Sequence, residues 1–219
     1  MDVKKIKNLV LSGGSIRGYA FIGAIKALTE FNILNNITTF CGTSIGGVIS
    51  LILNLNYTYN ELYAILIKLH IQDLQHITTE NILNFFCEYG IDSGDNIARV
   101  IDILIKAKVG NPSITFKELY NITKKKLIVT SVCVNTQSII YYNFEDTPDE
   151  PVSLSIRKTI SVPFLFKPVK DKGLLYVDGG LINNFPINLF ENEKDKTLGI
   201  LLYDEVLETD NSINSFDKY

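Results

Sequence analysis

Tryptophan is absent from this chain, and histidine occurs only twice, as His70 and His76. That scarcity bears on any catalytic scheme that needs an imidazole late in the sequence. Cysteine is sparse as well: Cys41, Cys87 and Cys133 are odd in number and far apart. They form neither a disulfide framework nor a zinc spacing, which points to a reducing compartment. An excess of positive charge is lacking, since 21 basic and 24 acidic residues leave a net charge of −3 over 219 residues. This excludes an electrostatic nucleic-acid binder and argues against a polybasic membrane anchor. No secretory signal is visible, because the apolar run in the start MDVKKIKNLVLSGG is too short for an h-region. No membrane span is visible either. The uncharged stretch 31–60 is broken by Asn35, Asn36, Gly42, Gly46 and Gly47, and its apolar part, 48–55, falls well short of the ~20 residues a span requires. A cytoplasmic setting is expected, with at most peripheral contact at membranes.

What is present suffices for a folded core: 46% of residues are hydrophobic and 21% charged, outside the disordered range. No repeat, linker or low-complexity block divides the sequence. One domain is expected over 1–219, its motifs within about 8–190 and a polar tail from about 204 onward. Residues 6–12 form a continuous apolar run, the pattern of a buried parallel strand. Gly13 and Gly14 end it, and 19–31 follows with helical spacing and Ala20, Ala24, Ala27 and Leu28 as core positions. A short strand at 38–41 and a helix over 44–55, apolar nearly all round, repeat the unit. Strand, loop and helix twice over imply an α/β fold with a parallel sheet. Further on, helices are expected over 60–70 and 80–89. Asp95 is the expected N-cap of a helix through Lys108, closed by Gly110. A hairpin over 126–134 and 138–144 turns at 135–137. After an acidic loop at 146–151 come a short helix over 154–161 and strands at 174–177 and 197–203.

Three loops carry candidate chemistry. The first, Gly42-Thr43-Ser44-Ile45-Gly46, is a G-x-S-x-G between a strand and a helix, the context of a nucleophile elbow. Its glycines permit a turn with no room for Cβ atoms, and the helix start favours negative charge near the Ser44 hydroxyl. The second is Ser12-Gly13-Gly14-Ser15-Ile16-Arg17-Gly18. Its consecutive amides at a helix start form an anion nest. A phosphate loop would continue Gly18 with Lys and Ser/Thr, yet Tyr19 and Ala20 follow. A dinucleotide fingerprint would have glycine where Ser15 stands and an acid at the end of the second strand. An oxyanion hole needs only backbone N–H donors, which this loop supplies. Arg17 can brace the loop, meet substrate charge, or make a surface salt bridge. The third is Tyr176-Val177-Asp178-Gly179-Gly180. Here Asp178 either shapes a tight turn or serves as a base at a strand end, where parallel sheets bind ligands. With no histidine after His76, a triad ordered Ser, acid, His is excluded. His70 and His76 read as structural or surface residues.

Together the loops resemble the patatin-like phospholipase family. LVLSGGSIRGYAFIGAIKAL is similar to its glycine-rich oxyanion block, GTSIGG to its nucleophile elbow, and VDGGLINNFPI to its Asp-Gly-Gly block. SVPFLFKPV resembles the stretch upstream of the aspartate. The resemblance implies a three-layer α/β/α fold with a mostly parallel central sheet. It further implies hydrolysis of lipid acyl esters, of the phospholipase A or lysophospholipase type, through a Ser44–Asp178 dyad and an acyl-enzyme. The oxyanion hole would involve Gly13, Gly14, Ser15, Arg17 and Gly18. No metal or other cofactor is implied, and the partner would be a phospholipid or lysophospholipid met at a membrane surface. One position departs from the family pattern: Ser15 replaces the third of three successive glycines, and its Cβ restricts φ while its amide is kept. The apolar segments 62–69 and 82–86 fit either core helices or an acyl pocket or cap. Two alternatives share these residues, an esterase or thioesterase for small acyl substrates and a non-catalytic lipid-binding module.

Overall fold

The computed structural model describes residues 3–68 and 89–203. Its centre is a seven-stranded sheet. Strand β1 (Asn8–Leu11) is buried along its whole length, as a strand covered on both faces must be. It pairs in parallel with β2 (Thr39–Gly42) and with β9 (Thr197–Ile200), and β2 pairs in parallel with β4 (Lys126–Cys133). Antiparallel strands β5 (Ser138–Tyr142), β7 (Val169–Asp171) and β8 (Leu174–Asp178) complete it. A separate parallel pair joins β3 (Gly90–Asp92) to β6 (Phe164–Phe166).

The register of β4 positions the site. Val129 has partners on both edges, Gly42 of β2 and Tyr142 of β5. Ser131–Cys133 are likewise flanked by β8 and β5. Strands β2 and β8 therefore lie in tandem along one edge of β4 and run toward each other. Gly42 ends opposite Val129 and Asp178 ends opposite Ser131, so the loops that leave both strands meet beside Thr130.

Six α-helices are seen among the described residues: α1 (Ala20–Glu30), α2 (Ile45–Asn54), α3 (Tyr59–Lys68), α4 (Asp95–Val109), α5 (Phe116–Thr123) and α6 (Val152–Thr159). Alternate strand residues face them. Leu9, Leu11, Phe40, Leu127 and Val129 join the helical core. Val10, Cys41 and Ile128 point to the other face, beneath Phe190. That side chain sits, with non-helical backbone, at a kink within the short 3-10 turns of Pro186–Lys196, which form the third layer. Helix α1 buries Phe21, Ile25 and Leu28. The alanines expected inside are not: Ala20 is exposed, and Ala24 and Ala27 are half-buried. Larger side chains at i, i+4 and i+7 bury more apolar area and set the helix rotation. Helix α2 is buried from Gly46 to Asn54, as its all-round apolar sequence requires.

The start of α4 differs from expectation, and α5 was not expected. Gly94, in the left-handed region, caps α4, and Asp95 is its first residue. Gly110 closes that helix, also left-handed. Helix α5 starts from a capping box, with Thr115 and Glu118 satisfying each other's amides. The helix expected over 80–89, His70, His76, Cys87, the segment 82–86 and the tail lie outside the described residues. Among the described residues no helix is long and apolar enough to cross a membrane.

Candidate active site

Ser44 stands between β2 and α2 at φ 54° and ψ −128°. A side chain in this part of φ/ψ space costs about 1–3 kcal/mol, which the surroundings must enforce. They do so by contact. A Cβ on Gly42 would lie 2.3 Å from the Gly46 carbonyl, and one on Gly46 would lie 2.5 Å from the carbonyl oxygens of Leu11 and Ser12. Hydrogen bonds add to this. The Thr43 hydroxyl donates to the Asn183 carbonyl at 3.0 Å. Its single proton being used there, it accepts from the Thr130 hydroxyl at 2.8 Å. The Ser44 amide donates to Thr159 Oγ1 at 2.8 Å.

Asp178 ends β8, with its amide bonded to the Ser161 carbonyl at 2.9 Å. Its residue is 4% exposed. Oδ1 accepts from the Gly180 amide at 2.7 Å, so the aspartate does shape its own turn. Gly179 fits because a Cβ there would lie 2.1 Å from Thr130 Oγ1. Burial pushes the Asp178 carboxyl up to about 6, while the Ser44 hydroxyl and the Gly180 amide pull it down. The Ser44 hydroxyl is thus near enough to lower the carboxyl's pKa, and Oδ2 is buried without a hydrogen-bond partner.

The glycine loop divides its tasks differently from the simple expectation of successive donors. The Gly13 amide is already engaged, donating to the Asn184 carbonyl at 3.0 Å. Gly13 therefore tethers the loop, and a Cβ there would meet Asn184 Oδ1 at 2.3 Å. The Gly14 carbonyl accepts from the Arg17 amide at 3.0 Å and from Arg17 Nε at 3.4 Å. A trans peptide points its N–H opposite its C=O, so this tether directs the Ser15 amide away from Arg17. Ser15 itself takes φ 50°, the left-handed conformation for which glycine is the unstrained residue. Gly18 makes room for Ile45, whose Cγ1 would lie 2.4 Å from a Cβ at that position.

Two hollows meet at Ser44. A cleft of about 210 Å³ is lined by Gly14, Ser15, Arg17, Ser44, Asp178 and Asn184, among others. An apolar cavity of about 130 Å³ runs between helices, lined by Ile45, Leu66, Ile97, Val100, Leu104 and again Ser44. Leu66, in one of the segments that fitted either core or pocket, belongs to this wall. Thr159, Ser161 and Asn184 were not singled out by sequence reasoning. Ser161 and Asn184 fall inside the blocks SVPFLFKPV and VDGGLINNFPI, which was the available signal; Thr159 falls in neither. Among the described residues, no group of three or more His, Cys, Asp or Glu side chains could hold a metal ion.

Residues 9–190 match the family model described as patatin-like phospholipase. A probable lipid hydrolase of Invertebrate iridescent virus 6 is 34% identical over 88% of this chain and 67% of its own length. An uncharacterized protein of Acanthamoeba polyphaga mimivirus is 32% identical over 98% of the chain and 73% of its own length. In fold, the chain is similar to VipD from Legionella pneumophila, with TM-score 0.61 and 20% identity over 89% of this chain. It is also similar to ExoU from Pseudomonas aeruginosa, with TM-score 0.57 and 22% identity over 73%. The chain spans 49% of the VipD chain and 39% of the ExoU chain.

Proposed function

Since this chain belongs to the patatin-like phospholipase family of lipid hydrolases, we propose that it cleaves fatty acyl esters of phospholipids or lysophospholipids with Ser44 as nucleophile and Asp178 as sole general base. The observation that carries this reading is the meeting of two unlike hollows at one side chain. Ser44 borders a polar cleft shared with Asp178 and an apolar cavity sized for part of an acyl chain.

In the mechanism, Ser44 Oγ attacks the ester carbonyl while its proton passes to Asp178. A carboxyl of pKa about 6 is a better base than an ordinary aspartate, but still weak for a hydroxyl. Attack and proton transfer must therefore be coupled, and stabilisation of the oxyanion carries much of the barrier reduction. The amides of Gly14 and Ser15 are the donors offered to it, with Gly13 and Arg17 holding them in place. Protonated Asp178 then gives its proton to the leaving alcohol, which leaves an acyl-serine. Asp178 next takes a proton from water as that water attacks the acyl carbonyl. Ser44 departs with the proton, and the fatty acid is released.

The test is mass spectrometry of products released from mixed phospholipid vesicles by wild type, Ser44→Ala and Asp178→Asn. Free fatty acid and its lyso-partner are expected from wild type and from neither variant. Release by folded Ser44→Ala at the wild-type rate would overturn the assignment. Turnover confined to short soluble esters would replace lipid hydrolysis by a small-ester activity. Silence toward every ester and toward a fluorophosphonate would leave a lipid-binding module.

A further inference from the structure

The end of α6 touches the main chain of both dyad residues. Thr159, its last residue, is fully buried and accepts the Ser44 amide at 2.8 Å. Two residues on, the Ser161 carbonyl accepts the Asp178 amide at 2.9 Å. The five residues 157–161 thus span the gap between a nucleophile that follows β2 and a base that ends β8, strands that are not bonded to each other. The span is stiff. Arg157 donates through Nη1 to Ser161 Oγ, and Ser161 Oγ donates back to the Arg157 carbonyl at 2.7 Å. Arg157 Nη2 also holds the carbonyls of Ser93 and Lys167. Lys158, 1% exposed, is clamped between Glu150 and Asp171. A buried turn carrying two adjacent cations, each satisfied, is fixed on several sides.

The bond from Thr159 has a particular task. Ser44 occupies a strained conformation, and the direction of its N–H is set by the same φ that aims Cβ and Oγ. Capturing that N–H fixes the torsion about the nucleophile. The Thr159 methyl lies 3.3 Å from where a Cβ on Gly47 would stand, so Thr159 is seated against the first turn of α2.

We propose that Thr159 is a positioning residue for the acyl-transfer step: by accepting the Ser44 amide it aims Oγ at Asp178, while the rigid 157–161 turn sets the distance between the two. The proposal rests on the Ser44–Asp178 reading. It predicts a loss in the chemical step with substrate binding kept, because a misplacement of about 1 Å can cost about 100-fold in rate.

The experiment compares Thr159→Val, which keeps the shape and removes the acceptor, with Thr159→Ser, which keeps the acceptor and removes the methyl. Thr159→Ala serves as a second acceptor-free variant. The readouts are the rate of Ser44 labelling by a fluorophosphonate, kcat and KM on a vesicle-borne phospholipid, and thermal melting. Labelling and kcat are expected to fall about 10- to 100-fold in the Val and Ala variants at nearly unchanged KM. Thr159→Ser should stay within about threefold of wild type. Wild-type labelling rates in folded Thr159→Val would overturn the proposal. So would Thr159→Ser falling as far as Thr159→Val, or failure of both acceptor-free variants to fold, since either would assign Thr159 to packing alone. If wild type itself is not labelled at Ser44, the failure belongs to the dyad reading instead.

Discussion

At neutral pH the side chain of Asp178 is an ionised carboxylate 4% exposed to solvent, with only the Gly180 amide and the Ser44 hydroxyl in place of water. Its pKa is about 6 in the fold, against an ordinary value near 3.8. A raised carboxyl destabilises the folded state once it ionises. Below the unfolded value both states hold the proton and nothing is lost. As pH rises toward 6 the unfolded chain releases its proton first, and stability falls until the folded carboxyl ionises too. Two pKa units correspond to about 3 kcal/mol. Asp178→Asn should therefore be more stable than wild type by up to about that amount at pH 8, with the advantage shrinking toward pH 4; urea unfolding at both pH values checks it. A gain independent of pH would mean that the buried charge is not its source. For the base proposed above, activity has the opposite sign, because a base must be unprotonated: wild-type kcat/KM is expected to rise through pH 6 and then level. The residue types of the candidate site were legible in the sequence, including a restriction of φ at Ser15; that the restriction takes the left-handed form was not. The burial that tunes Asp178 was not, because it depends on the register that sets β8 beside β4, a strand distant in sequence.

Among elements, the elbow is the one whose geometry a single methyl can break. Gly46 lies against β1, where a Cβ would stand 2.5 Å from two backbone carbonyl oxygens. Backbone cannot rotate aside as a side chain can. Gly46→Ala should therefore push α2 off the sheet, lower the melting temperature by several degrees and abolish labelling of Ser44 by a fluorophosphonate. Gly23, in the middle of α1, has nothing within 4 Å of its would-be Cβ. Gly23→Ala should instead stabilise the fold by about 0.5–1 kcal/mol and leave labelling unchanged. Equal effects at the two positions would contradict the steric account. Long, strongly patterned elements such as β1, α2 and the β4–β5 hairpin could be read from periodicity. Strands β3 and β6 could not, for three residues carry too little period. The start of α4 misled because Asp95 is a good capping type, yet left-handed Gly94 took the role. Helix α5, with its Thr115–Glu118 capping box, was missed, because the short apolar run behind the box carries little helical period.

For the whole molecule, the decisive arrangement is the junction of sheet edge and helical layer. Parallel strands deliver their loops to one edge, as the sequence implied, and this holds for β1 and β2; β8, expected to do the same, is antiparallel to β4 and brings Asp178 to the site by running toward β2. The tandem placement of β2 and β8 along β4 follows from register, which no local pattern encodes. Above that junction, α4 presents Ile97, Val100, Ile101 and Leu104 to the apolar cavity, spaced i, i+3, i+4 and i+7 as one helix face. If this cavity receives the acyl chain, its depth sets chain-length preference, and filling it should shorten that preference without touching the dyad. Val100 is the position to fill, since it is only half-buried and a larger side chain there avoids most of the 1–3 kcal/mol that overpacking costs in a closed core. Each methylene kept out of an apolar site loses about 0.8 kcal/mol, or about fourfold in kcat/KM. Val100→Phe should thus lower kcat/KM on long-chain esters at least tenfold relative to short-chain ones, with fluorophosphonate labelling of Ser44 unaltered. A chain-length series on one head group measures the ratio. A uniform loss along the series would move the acyl chain out of this cavity and onto the open cleft beside Leu181.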